Sequence, residues 1–272
     1  MPDRPHEFDD LLSRERSMRT LSKLPGGFRP TRTNGGFSLI ELSVVLVLIA
    51  LLLGGLLVPL GAQIEQRQYS DTEKQLEQIK EALMGFALSN GYLPCPAKSA
   101  SDGAEDRIGG GTTCTLVAGN PKRVGFLPWV TLGVKPSDSW GNLYRYSVSA
   151  NFTNSAALSL FTLTSTRDIL IQTRNAAGAV TNLSNLNEIP AVVLSHGRNG
   201  YGATSDLGIA RATPATWDNT LDEFNNANNS RTFSSRTRTD NLGAAGGQFD
   251  DIVVWITPSI LFSRMVAAGR LP

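Results

Sequence analysis

An apolar stretch near the start of the chain constrains the fold more than any other feature. Residues 37–60 read FSLIELSVVLVLIALLLGGLLVPL, with one charged side chain, Glu41. Seventeen of these 24 residues are Leu, Ile, Val or Phe. A helical run of about 20 such residues spans a bilayer core. Each contributes ~0.3–0.6 kcal/mol to insertion, roughly 5–10 kcal/mol in all, against about 3 kcal/mol for a central carboxylate and less for one near an end. Insertion is therefore expected in spite of Glu41.

The carboxylate itself needs a reason. No Lys or Arg lies between Phe37 and Gln66, so no local cation answers it. One reading is a glutamate near the headgroups of an ordinary anchor. The other is a carboxylate waiting for a cation from elsewhere. A cut between Gly36 and Phe37 would create an α-amino group there. One subunit's amine would then neutralise Glu41 of its neighbour.

The segment GGFSLIEL (35–42) resembles the processing motif of type IV prepilins and type II secretion pseudopilins. It has glycine before the cut, an aromatic after it, and a glutamate as the fifth residue of the mature chain. The resemblance implies a membrane aspartyl peptidase, the prepilin peptidase, that reads Gly35 and Gly36, cuts after Gly36 and N-methylates Phe37. Glu41 then guides subunits into a helical filament. Pro59 sits where pilin helices often bend; its other reading is the end of a membrane helix. Gly54 and Gly55 suit a loosened helix or close packing with neighbours.

Charge sets the expected topology. Net charge is +1, which gives no global case for nucleic-acid binding. Between Met18 and Gly36 lie Arg19, Lys23, Arg29 and Arg32 and no acidic residue. That bias places the N-terminus in the cytoplasm and the C-terminal domain in the periplasm. Met1 and Met18 are both candidate starts. A cleaved secretory signal would have an apolar core of about 7–15 residues and small residues at the cut; this run is longer, and a cut after Ala62 has Leu60 two positions before it. Removing 36 of the 272 residues leaves 236, enough for a long helix and one soluble domain. Cys95 and Cys114 are the only cysteines. In an oxidising periplasm they suit a disulfide closing a loop of about 20 residues, worth ~3 kcal/mol in the chain-entropy description; two unpaired thiols are the alternative.

Beyond the apolar run the pattern changes. Thr72, Leu76, Ile79, Leu83 and Phe86 recur at helical spacing. Asn90-Gly91 is a stop signal. The helix is thus expected over 37–90, apolar all round at first and striped afterwards. Residues 91–140 read mainly as loop. Short strands are expected at 142–149, 158–163, 168–173, 191–195 and 252–256, with a hairpin around Ser165-Thr166. Residues 211–248, rich in Thr, Asn, Arg, Ser and Gly, read as a long loop. Thr257-Pro258 opens a final short helix that Gly269 ends.

DSWGNLYRY (138–146), SHGRNGYG (195–202) and FDDIVVW (249–255) are similar, in order, to segments of major pseudopilins. The resemblance implies calcium in the C-terminal loop, with Asp250 and Asp251 as oxygen ligands; the alternative is an aspartate capping a turn. The long Asn-rich stretch and the residues after Trp255 depart from the family pattern. His196, with Ser195 beside it and Asp168 or Asp206 elsewhere, invites a catalytic reading. Adjacent strand residues point to opposite faces, which argues against one relay, and no GxSxG elbow is present. No enzymatic function is expected. Trp129, Trp140, Trp217 and Trp255 read as core or interface residues. Arg231, Arg236 and Arg238 with Phe233 form a basic cluster that suits either phosphates or a solvated loop.

The expected fold is pilin-like α+β: a long N-terminal helix, transmembrane then amphipathic, on a small antiparallel sheet, with long loops and a short C-terminal helix. The expected parts are a leader (1–36), a membrane or filament-core helix (37–60), its amphipathic continuation (61–91) and a periplasmic domain (92–272). The expected role is a structural subunit of a type II secretion pseudopilus, or of a type IV pilus. Its partners would be other pilin-like subunits, the prepilin peptidase, an inner-membrane assembly platform and lipid, with no nucleic acid and no cofactor beyond calcium.

Overall fold

A helix of 52 residues, α1 (Leu39–Asn90), is the longest element of the computed structural model. The structure describes residues 35–156, 161–185, 188–218 and 220–271; side chains 55–59, within α1, are outside the description. Most of the expected leader, both candidate starts and the Pro59 bend therefore lie outside the described residues. The chain divides into two compact units, Met1–Gly55 and Leu56–Pro272.

In the first unit, every Phe, Leu, Ile and Val from Phe37 to Leu53 is exposed, from 43 % at Val45 to 87 % at Leu39. No helix among the described residues is long and apolar enough to cross a membrane. The expected span over 37–60 is thus not shown. Of that run, side chains 55–59 lie outside the description, and Leu60 beyond them is exposed.

In the second unit, α1 buries its stripe. Thr72, Leu76, Ile79 and Leu83 are 0–2 % exposed, Met84 and Ala87 join them, and Phe86 is half-buried. Gly91 ends the helix with φ +86°, and its N–H reaches Ala87 O at 2.7 Å. Left-handed backbone of this kind favours glycine. Arg270 caps the free carbonyls of the last turn, donating to Leu88 O at 2.9 Å and to Ser89 O.

The remaining elements follow in chain order. A two-residue hairpin pairs β1 (Leu116–Val117) with β2 (Asn120–Pro121). Then come β3 (Val124–Phe126), α2 (Trp129–Leu132), β4 (Arg145–Val148), β5 (Leu170–Arg174), β6 (Val180–Asn182), β7 (Ala191–Ser195), α3 (Asp222–Ala227), β8 (Thr232–Ser234), β9 (Ile252–Ile256) and α4 (Pro258–Ala267). The four-stranded sheet has the order β3-β4-β7-β9, antiparallel throughout.

Strand alternation divides the core. Ala191 and Val193 of β7, Tyr146 and Val148 of β4, and Ile256 of β9 face a cluster with Leu76, Ile79, Leu83, Leu261 and Met265. Val192, Leu194, Val253 and Trp255 face a second cluster with Ile169, Ile171 and Phe233. Both faces of β7 are covered, which is why its sequence is apolar without alternation. Cys95 and Cys114, both fully buried, form a disulfide with Cα atoms 5.5 Å apart.

Three sequence expectations need correction. The hairpin around Ser165-Thr166 does not form: β5 pairs antiparallel with β6 and parallel with β8, and residues 158–160 lie outside the described residues. This three-stranded sheet is therefore mixed, not antiparallel. Residues 211–248 are not one long loop. They contain α3 and β8, because Phe233 is fully buried and Asn226 bridges the two elements. Tertiary burial outweighs a composition that reads as loop.

Candidate functional site

Two places in the chain concentrate chemistry. The first is the segment 35–41, and the second is a group of buried carboxylates beside β9.

Residues 35–38 are irregular and exposed, and α1 starts at Leu39. A Cβ added to Gly35 or Gly36 would meet nothing within 4 Å, and neither glycine has positive φ. The chain's own packing therefore does not require glycine at either position. Ser38 and Glu41 cap the helix start. Ile40 N donates to Ser38 Oγ at 3.3 Å, and Ser38 N donates to Glu41 Oε2 at 3.4 Å. This is a capping box, S-x-x-E before an apolar run. Ser38-x-x-Glu41 before an apolar run is itself a sequence signature of a helix start.

The second place is built by three elements. The loop after β7 supplies His196, Gly197 and Asn199, α3 supplies Glu223, and the entrance to β9 supplies Asp250 and Asp251. A carboxylate oxygen of Glu223, one of Asp250 and one of Asp251 lie within 4.8 Å of one another, and all three residues are buried. Asn199 Nδ2 donates to both Glu223 oxygens at 2.9 and 3.1 Å. Asp250 N donates to Glu223 Oε1 at 2.8 Å, and Asn199 N to Asp250 Oδ2 at 2.9 Å. Asn226 Nδ2 donates to Asp251 Oδ2 at 2.7 Å. Gly197, at φ +60°, leaves room for Asp250, whose Oδ1 would lie 2.5 Å from a Cβ there.

Burial pushes all three carboxyl groups above their ordinary range. For Glu223 the Asp251 charge adds to the effect. His196 Nδ1 lies 3.7 Å from Asp251 Oδ1, too far for a hydrogen bond. Burial, then the Arg145 charge, push His196 down to about 3, so the imidazole stays neutral. Glu223 was missed by sequence reasoning because it sits in the segment that reads as loop. Leu221 and Phe224, flanking the Asp222-Glu223 pair, were the available signal of a short buried helix.

The other candidate residues take separate partners. Ser195 Oγ donates to Asp138 Oδ2 at 2.5 Å. Asp168 holds Arg123, Arg231 and Ser149. Asp206 N–H donates to Gly141 O. His196, Ser195 and Asp168 or Asp206 are thus not assembled into a relay. The basic cluster is also dispersed into ion pairs: Arg231 with Asp168, Arg236 with Asp222, and Arg238 with Glu65. Arg231 and Arg236 are largely buried in these pairs, with side chains 23 % and 10 % exposed, whereas Arg238 is 43 % exposed and lies at the surface. Trp140 packs on Tyr69, and Trp217 on Tyr201 and Phe224.

A family model described as the prokaryotic N-terminal methylation motif matches residues 31–57. No curated protein and no solved structure matches the chain. The match covers the glycine pair, Phe37, Glu41 and most of the apolar run. The chain thus carries the prepilin-type signal of type IV pilin-like proteins.

Proposed function

We propose that this chain is the structural subunit of a type II secretion pseudopilus. The prepilin peptidase cuts it after Gly36 and methylates Phe37. Its apolar helix holds it in the inner membrane, with the C-terminal domain in the periplasm. Assembly by an inner-membrane platform then moves that helix from lipid into a bundle of like helices. The observation that carries this reading is the exposed apolar surface of residues 37–53 behind two glycines that nothing in the chain requires. Large contiguous apolar surface is a binding surface. A glycine pair without an internal reason answers to an external enzyme.

Glu41 has no basic residue nearby in sequence, and a neighbour's new α-amine supplies the cation. Pairing one carboxylate with one amine per subunit sets the stagger between copies. The WGN segment favours secretion over a pilus role. Asp138 accepts the N–H groups of Trp140 and Asn142 at 2.9 Å, and Ser139 meets Thr72 of α1 at 3.0 Å. The long segment between β7 and β9 favours the second reading, a minor type IV pilin for adhesion, motility or DNA uptake.

Deletion of the gene in its native host separates the two. Loss of secreted hydrolases with normal motility and DNA uptake supports the pseudopilus. Normal secretion with lost motility, adhesion or DNA uptake replaces it with the pilus reading.

A further inference from the structure

We propose that the cleft between the β5–β6 turn and the 243–247 loop binds one carboxylate-bearing sugar unit. The proposal is independent of the filament reading, since it concerns only residues of the second compact unit.

The cleft encloses about 400 Å3, and its lining includes Arg174, Arg236, Thr173, Thr237 and Asn175. That volume lies in the range of small-molecule sites. No carboxylate lines it. The acidic group in contact with its arginines is Asp222, whose side chain is 2 % exposed. Arg174 grips Asp222 with two N–H groups, Nε at 2.8 Å and Nη2 at 3.0 Å. Arg236 Nε lies 2.6 Å from the same carboxylate. Two guanidinium groups on one carboxylate leave a local charge of +1. The cleft between α1 and residues 135–139 differs: Lys74 and Lys135 line it together with Asp71 and Asp138, and the charges balance.

The excess charge is fixed in place before any ligand arrives. Arg174 Nη1 donates to Gly178 O at 3.0 Å. Arg236 Nη2 donates to Gly247 O at 2.6 Å, and its guanidinium carbon lies 4.9 Å from the Phe249 ring centroid. Gly246, at φ +82°, lets the backbone run against the ion pair, since a Cβ there would collide with Asp222 and Arg174. Arg236 Nη1 is left over. It makes no hydrogen bond to the described residues, and unlike Nε it is not sealed from solvent. A rigid guanidinium with one free edge matches a carboxylate oxygen.

Charge selects the kind of anion. A carboxylate carries −1 and balances the cleft. A phosphate monoester carries about −1.5 to −2 at neutral pH and would leave an excess. The remaining lining suits hydroxyl groups. Asn175 Oδ1 accepts the N–H groups of Ala177 and Ala179, both at 3.0 Å, which leaves its Nδ2 for a ligand. The hydroxyls of Thr173 and Thr237 offer a donor and an acceptor each.

The test titrates the full-length chain, in a detergent without a sugar head and at low salt, with sodium glucuronate, glucose and sodium phosphate, read by calorimetry. One saturable site for glucuronate is expected, with no binding of glucose and weaker binding of phosphate. Ala177 is exposed on the same cleft, so its replacement leaves the Arg174–Asp222–Arg236 contacts in place. Ala177→Glu is expected to weaken glucuronate about tenfold by setting a like charge beside the bound carboxylate. Ala177→Gln is expected to change the affinity little, and both variants should keep the unfolding midpoint. Absence of glucuronate binding, equal binding of glucose, or tighter binding of phosphate overturns the proposal. So does an unchanged affinity in Ala177→Glu, or an equal loss in Ala177→Gln.

Discussion

Ser38 and Glu41 hold each other's ends of one helical turn: the Ser38 N–H donates to the Glu41 carboxylate, and Ser38 Oγ accepts the Ile40 N–H. Glu41 therefore has a local partner before any neighbouring subunit arrives. The two roles of this carboxylate are separable by mutation. Ser38→Ala removes half of the capping box, at a cost of about 0.5–2 kcal/mol to the helix start. Glu41→Val removes both the cap and the charge. Both variants are expected to insert in the membrane. Filament incorporation, measured by sedimentation of sheared filaments, should fall strongly for Glu41→Val and little for Ser38→Ala. Equal losses would assign Glu41 to capping alone.

Gly36 separates processing from folding. A Cβ at this position meets nothing within 4 Å, so Gly36→Ala should leave the unfolding midpoint unchanged. Cleavage by the prepilin peptidase should slow or stop, read as persistence of the longer chain on a gel. Normal cleavage in this variant would remove the external reason for the glycine.

Leu83 tests the packing of α1 on the four-stranded sheet. Its side chain is fully buried within the cluster that includes Ile79 and Val193. Leu83→Ala should cost about 2–5 kcal/mol in denaturant unfolding. Leu53→Ala, at a position 56 % exposed, should change that stability little and act on assembly.

Asp168 gives the second unit a predictable acid response. Burial raises its pKa, but hydrogen bonds from Arg231 and Ser149 and the charges of Arg231 and Arg123 outweigh burial and leave it below the ordinary value. A carboxylate depressed in the folded state stabilises above its unfolded pKa, about 3.9, and loses that contribution as pH falls through the folded value. The Asp168 side chain is 34 % exposed, so solvent screening limits the effect to about 1 kcal/mol. Asp168→Asn should be less stable than the unmodified chain at pH 7, with the gap closing below about pH 4. A gap that widens on acidification would contradict the sign.

Elements with a clean period were legible in the sequence. The stripe of α1, the strands at Ala191–Ser195 and Ile252–Ile256, and the Pro258–Ala267 helix all follow from spacing and end signals. The mixed sheet was not legible, because β5 finds its parallel partner β8 some 60 residues later, inside a segment without apolar periodicity. The same segment hid Glu223. Asp250 and Asp251 could be named from a local motif, whereas their third companion is brought in by tertiary packing of α3. The buried ion pairs of Arg231 and Arg236 were invisible for a related reason. A charge run looks the same in sequence whether it meets water or a carboxylate.

The central claim is that a cut at Gly36 exposes the amine that Glu41 needs. Mass analysis of the N-terminal peptide from protein isolated from its native envelope tests it most directly. A chain beginning at N-methylated Phe37 is the predicted result. A chain that begins upstream of Phe37 would contradict the account, because the neighbouring amine would never form.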